Sequence, residues 1–351
     1  MNSKALNRVA VNISLITTLL STLTIYTAAA DNYQLAHTYT FSAAPGGREY
    51  FDYITVDPAA RRVYLSHGTE VLVVNADSGA LEGKISGLKL CHGVALVPNR
   101  GRGFVTDGEQ GNIVIFDLRS LKTIGNVTAA PDADSILYDP ASERVFSFNG
   151  DSRTSTVVDP ATEKVVGSID LGGAPEFAVS DGKGTIYDNL EDKGEVVAID
   201  SKSLTIKSRW PIAPAGAPAP MAIDREHRRL FVSGRNPQMM VVMNANDGKV
   251  IRSFPISAGA DASVYDPKTK RIFVSTREGF IHVFHEDSPD QFSEVGKIQT
   301  ELGAKTMGFD PEKNLLFVDT AKFETPAPTQ QRPHPRPVAV PGTFHLLVYS
   351  E

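Results

Sequence analysis

The sequence predicts an all-β fold: a seven-bladed β-propeller of four-stranded antiparallel blades, closed by an N-terminal strand that completes the last blade. The first observation is a turn. Asp-Pro, or a degenerate form of it, recurs with its first residue at 57, 97, 139, 181, 224, 266 and 310. A near-constant spacing of this length marks a blade array. The second is the strand that follows each turn: Tyr64-Leu65-Ser66-His67, Phe104-Val105-Thr106-Asp107, Phe146-Ser147-Phe148-Asn149, Ile186-Tyr187-Asp188-Asn189, Phe231-Val232-Ser233-Gly234, Phe273-Val274-Ser275-Thr276 and Phe317-Val318-Asp319-Thr320. The third is that no segment shows sustained helical periodicity.

In chain order, residues 1–30 read as a secretory signal peptide. Lys4 and Arg8 precede an uncharged run, Val9–Tyr26, and Ala28-Ala29-Ala30 then fits a cleavage site before Asp31. Residues 31–351 form the propeller. Tyr33–Phe41 (YQLAHTYTF) has no inner strands of its own, whereas the seventh repeat, Thr306–Tyr349, lacks an outer one. Joining the two removes an open sheet edge. Within a repeat such as Asp261–Phe284, the residues just before the turn (Ser263-Val264-Tyr265; elsewhere Ile54-Thr55-Val56 or Met221-Ala222-Ile223) are apolar or small on both faces. A strand of that kind is covered on both faces, as the innermost strand of a propeller is. A third strand (Val71–Asn75, Phe280–His285) and in most copies a fourth (Lys164–Ile169, Lys249–Ile256) complete the unit.

The Phe/Tyr-Val-Ser/Thr-x strands resemble those of the YVTN-repeat seven-bladed propellers, the YncE-like group, over essentially the whole mature chain. That resemblance implies export to the periplasm or the medium and a binding or scaffold role with an envelope partner. It transfers no catalytic residue.

Charge excludes some functions. Loss of residues 1–30 takes the net charge from −6 to −8, a poor balance for nucleic-acid binding, which draws on Lys and Arg against phosphate. No membrane span is expected after cleavage. The single cysteine, Cys91, allows no internal disulfide and reads as a small buried residue. No G-x-S-x-G, H-E-x-x-H, G-x-x-x-x-G-K or calcium-loop motif is present. Trp210, in an outer strand, reads as packing.

The residue five before each turn is Asp52, His92, Asp134, Glu176, Ala219, Asp261 and Lys305. Six of these seven are ionisable, and all should open onto one mouth of the central channel. Two like charges about 8 Å apart at an effective dielectric near 20 repel by roughly 2 kcal/mol, so a ring of four carboxylates should hold protons, a cation or water. Asp52, His92, Asp134, Glu176 and Asp261 are therefore candidate ligands of a divalent metal, the one cofactor this ring suggests. A cationic or polyhydroxylated small molecule is the other occupant it suits. A binding or scaffold protein is the leading function; the alternative is a metal-assisted hydrolase or lactonase with His92 or Glu176 as base. Loops on the same face add Asn149, Asn189, Arg235, Arg277, Arg332 and Arg336. The last two lie in a proline-rich insertion, residues 321–343, expected as a polyproline II flap or arm over the ring.

Overall fold

The repeated turn forms for a local reason. The Asp carboxylate accepts a backbone N–H two or three residues ahead: Ala60 on Asp57 at 3.0 Å, Ser142 on Asp139 at 2.9 Å, Lys268 on Asp266 at 3.0 Å and Glu312 on Asp310 at 2.9 Å. Each turn then closes on a residue with positive φ, namely Arg61, Gly101, Glu143, Gly184, Arg228, Lys270 or Asn314. Glycine takes this conformation without strain at 101 and 184; at the other five the flanking antiparallel pair imposes it.

A computed structural model of the protein describes residues 32–329 and 334–351. The expected signal peptide, residues 1–30, and Arg332 lie outside the described residues. The turns join strands into seven four-stranded antiparallel sheets. The fifth blade is Pro218–Asp224, Arg229–Arg235, Gln238–Asn244 and Val250–Pro255. The sixth is Ala260–Asp266, Arg271–Thr276, Phe280–Ser288 and Gln291–Gln299. In the seventh, Met307–Asp310, Leu315–Thr320 and His345–Ser350 are completed by Gln34–Thr40, which pairs antiparallel with His345–Ser350. The expected closure therefore forms.

The core follows from the blade geometry. It divides into seven clusters, each shared by two neighbouring blades. Tyr64, Phe104, Phe146, Ile186, Phe231, Phe273 and Phe317, the first residues of the repeated strand, are all fully buried. Each contributes about 1.5–3 kcal/mol of burial, and none can do so without the adjacent blade. No helix among the described residues is long and apolar enough to cross a membrane.

The proline-rich insertion departs from a simple extended flap. Phe323–Glu324 pairs with Val338–Ala339 as a short two-stranded sheet, and Val340 N–H donates to the Lys322 carbonyl at 2.8 Å. The hairpin is tied to the body by the Gly342 N–H, which donates to Glu49 Oε1 at 3.0 Å. Glu49 in turn pairs with the buried His67 at 2.6 Å.

Candidate functional site

Asp134, Ala219 and Asp261 sit at the start of innermost strands, where the backbone emerges at the axis. With Asp52, His92, Glu176 and Lys305 they line one cavity of about 1180 Å³, walled also by Arg235 and Arg277 and by residues of the insertion hairpin, Phe323 and Arg336 among them. Ala219 is the one ring position without charge, and Arg235 of the same blade supplies a guanidinium instead.

The ring is a bonded network rather than a row of free acids. Lys305 Nζ bridges two blades, donating to Asp261 Oδ2 and, at 3.3 Å, to Asp52 Oδ1. Arg235 pairs with Asp261, with Glu191 at 3.0 Å and with Glu176 at 3.5 Å. His92 Nδ1 lies 2.9 Å from Asp52 Oδ2 and 3.1 Å from Asp134 Oδ1. The Tyr50 hydroxyl donates to Asp52 Oδ2 at 2.9 Å. Tyr53 and Phe177, the residues that follow Asp52 and Glu176, pack with ring centroids 5.8 Å apart.

Burial works against every charge here, so partners decide which survive. Asp52 is held well below the usual carboxylate range: burial pushes it up, but Lys305 and His92 outweigh it. Burial raises Asp134, and His92 offsets only part of that. Glu176 is lifted well above its ordinary value by burial, despite Arg235. Burial would lower His92, but hydrogen bonds and charge from Asp134 and Asp52 carry it from 6.5 to about 10.

That last shift fixes a pH dependence. A base raised on folding contributes stability that is complete below its unfolded value and lost as pH climbs through its folded one. For His92 the window runs from 6.5 to about 10. Asp319, pushed by burial from 3.8 to about 8, acts with the same sign at lower pH. The melting temperature should therefore fall between pH 6.5 and 10, and His92→Gln should flatten that fall. Thermal melts across the range check this; an unchanged slope in the variant would mean His92 is not charged in the folded state.

The sequence-derived positions do not all converge. Asp52, His92 and Asp134 place donor atoms within 4.8 Å of one another. Glu176 and Asp261 do not join that set, because Arg235 and Lys305 hold them elsewhere. The five-residue metal set is thus not assembled as one centre. Arg235, Arg277 and Arg336 line the cavity. Asn149 and Asn189 are buried inside the blades: Asn149 Nδ2 donates to the Thr154 carbonyl at 3.1 Å, and Asn189 Nδ2 to the Ala219 carbonyl at 2.7 Å. Cys91 is buried against the Gly68 and Glu70 carbonyls, and burial pushes its thiol to about 12. Trp210 stacks on Tyr187 at 6.0 Å. Sequence reasoning missed Tyr50, Tyr53, Phe177 and Glu191. The two aromatics immediately after Asp52 and Glu176 were the available signal for Tyr53 and Phe177; Tyr50 and Glu191 repeat in no other blade.

No protein-family model and no curated protein sequence matches the chain. Solved structures do. A chain of the mitotic checkpoint complex superposes with a TM-score of 0.73 at 12% identity, over 100% of this chain and 99% of that one. The RRP9 WD40 repeats give 0.73 at 9% identity over 90% and 99%. Kuenenia stuttgartiensis hydrazine synthase gives 0.68 at 16% over 76% and 91%. The chain has a WD40-type propeller fold. At such identities the likeness carries the fold and nothing about ligands.

Proposed function

We propose that the chain is an exported binding protein of the YVTN-repeat, YncE-like kind, and that it takes a small polar molecule bearing an anionic group into the axial cavity. One observation carries this reading. The ring acids are already matched by Lys305, Arg235 and His92, whereas two guanidiniums on the cavity wall are not spent on them. Arg277 approaches Asp261 only at 3.9 Å and is more than half exposed, and Arg336 lines the cavity from the insertion hairpin. A guanidinium with free donors is suited to a carboxylate or phosphate. Tyr53, Phe177 and Phe323 supply apolar wall for the rest of the molecule. A bare cation, which the ring composition alone suggested, would have to displace Lys305.

Melting the protein against a panel of organic carboxylates, phosphates and sulfonates, with neutral sugars and organic cations as controls, tests this, since a ligand of the native state raises its stability. Anions should raise the melting temperature, and Arg277→Ala and Arg336→Ala should each reduce that rise. If only cations or sugars act, or the arginine variants respond like the parent, the proposal fails.

A metal-assisted hydrolase is a second reading. It has one specific support: Asp52, His92 and Asp134 bring one donor atom each within 4.8 Å of one another. His92 is badly placed to be its base, because its two carboxylate neighbours hold it protonated at neutral pH. Glu176, lifted well above its ordinary value by burial, is the better proton donor.

A further inference from the structure

The innermost strand of the fifth blade starts at the cavity with Pro218 and Ala219 and ends on the opposite face at Asp224. Three residues on, in the same turn, is His227. The sixth blade reaches across to this point with an extended hairpin. Its third and fourth strands, Phe280–Ser288 and Gln291–Gln299, are nine residues each, whereas the corresponding strands of the other blades are six or seven. The extension is fastened to the fifth blade. Arg229 Nε donates to the Pro289 carbonyl at 2.6 Å and its other arm pairs with Asp290 at 2.7 Å. Phe292 meets Phe231 edge-on at 5.9 Å.

What the extension delivers to this point is Glu286. Its side chain is fully buried, with Oε1 3.0 Å from His227 Nδ1, while Asp224 Oδ2 lies 2.8 Å from the same nitrogen. Tyr265 donates to Glu286 Oε2 at 2.6 Å, which fixes the carboxylate, but Oε1 is buried without a hydrogen-bond partner. Two carboxylate oxygens therefore converge on one imidazole nitrogen, and one of them has nothing to accept. A buried carboxylate oxygen left in that state is costly. Asp52, His92 and Asp134 in the cavity share the pattern, but there Lys305 is already bonded to Asp52.

We propose that Asp224, His227 and Glu286 form a divalent transition-metal site that staples the fifth blade to the sixth. One imidazole and two carboxylates suit Zn²⁺. Tetrahedral zinc with ligands at 2.0–2.2 Å spaces its donors roughly 3.4 Å apart, so the two carboxylate contacts to His227, at 2.8 and 3.0 Å, need open by only a few tenths of an ångström. His227 is partly exposed, at 23% of its side chain, which gives the ion a route in and leaves the fourth position to water. The ion accepts nothing from the cavity, and its effect is on the seam between the blades.

The test uses the full chain without an affinity tag, stripped with chelator and titrated with zinc chloride by calorimetry and thermal melting. One equivalent should bind, and the melting temperature should rise with it. Glu286→Gln keeps the volume and an acceptor for Tyr265. Groups that merely orient a metal ligand are worth about tenfold in affinity, so this loss of a ligand should weaken zinc by at least that factor. His227→Ala should abolish binding, and Asp134→Asn, in the cavity, should leave it unchanged. The absence of a zinc-dependent rise, a rise that survives Glu286→Gln, or one lost in Asp134→Asn each overturns the site. If His227→Ala does not fold, Glu286→Gln decides alone.

Discussion

A chain that begins at Phe41 will not give a stable propeller. Compared with one that begins at Asn32, it should elute as aggregate and lose its cooperative melt. Two losses add. Tyr33 is buried in the cluster between the sixth and seventh blades, edge-on to Phe273 at 5.4 Å, and emptying such a site costs about 3–5 kcal/mol, a large share of a typical domain's stability. The second loss is topological. Gln34–Thr40 pairs with His345–Ser350 along its length, so its removal bares a hydrogen-bonding edge on a strand that is itself almost wholly buried and open to pairing with other chains. Tyr39 also lies against Gly79 in the turn of the first blade, where even a Cβ would collide with its ring. Size-exclusion chromatography and circular dichroism read the outcome. A monomeric truncated chain with an unchanged melt would mean that the ring is held by blade contacts alone.

The fold was legible because it is written seven times. The Asp-Pro turn and the aromatic opening of the second strand each have a local cause, a side-chain cap and a buried ring, and repetition separates them from chance. Closure was legible from arithmetic alone, one strand missing at one end and one spare at the other. The site was only partly legible, because a repeat shows which positions face the axis but not how their side chains choose partners. Asp261 and Glu176 looked like members of an acidic ring; Arg235, at the end of the fifth blade's second strand, takes both. Asn149 and Asn189 looked like loop residues of the same face as Arg277 but lie within second strands and donate to backbone carbonyls. Asp224 is the turn aspartate of the fifth repeat, but His227 and Glu286 left no mark in the repeat. The length of the sixth blade's hairpin brings Glu286 to the turn, and that excess shows only against the other six blades.

Lys305→Met should cost about 3 kcal/mol at neutral pH, because breaking a buried pair from one side strands the other charge and typically costs 3–5 kcal/mol. The lower end applies here. Asp261 keeps Arg235, and Asp52 keeps His92 and Tyr50. The pH dependence separates this cause from lost packing. Burial alone would raise Asp52, and Lys305 is the largest influence that lowers it. A carboxylate depressed on folding contributes stability above its unfolded value, 3.8 for this group, and loses it as pH falls through the folded one. Without Lys305 that depression shrinks, so the variant's deficit should be full at pH 7 and should narrow as acid neutralises Asp52 in both proteins. Adding Asp52→Asn to Lys305→Met should recover part of the loss at pH 7, since the stranded charge is then gone. Urea unfolding of the parent and both variants at neutral and acidic pH measures all three quantities. A deficit below about 1 kcal/mol, the range of an exposed ion pair, or one that is the same at both pH values, would show that Lys305 is a solvated side chain at the channel mouth and that the blades around the cavity do not depend on it.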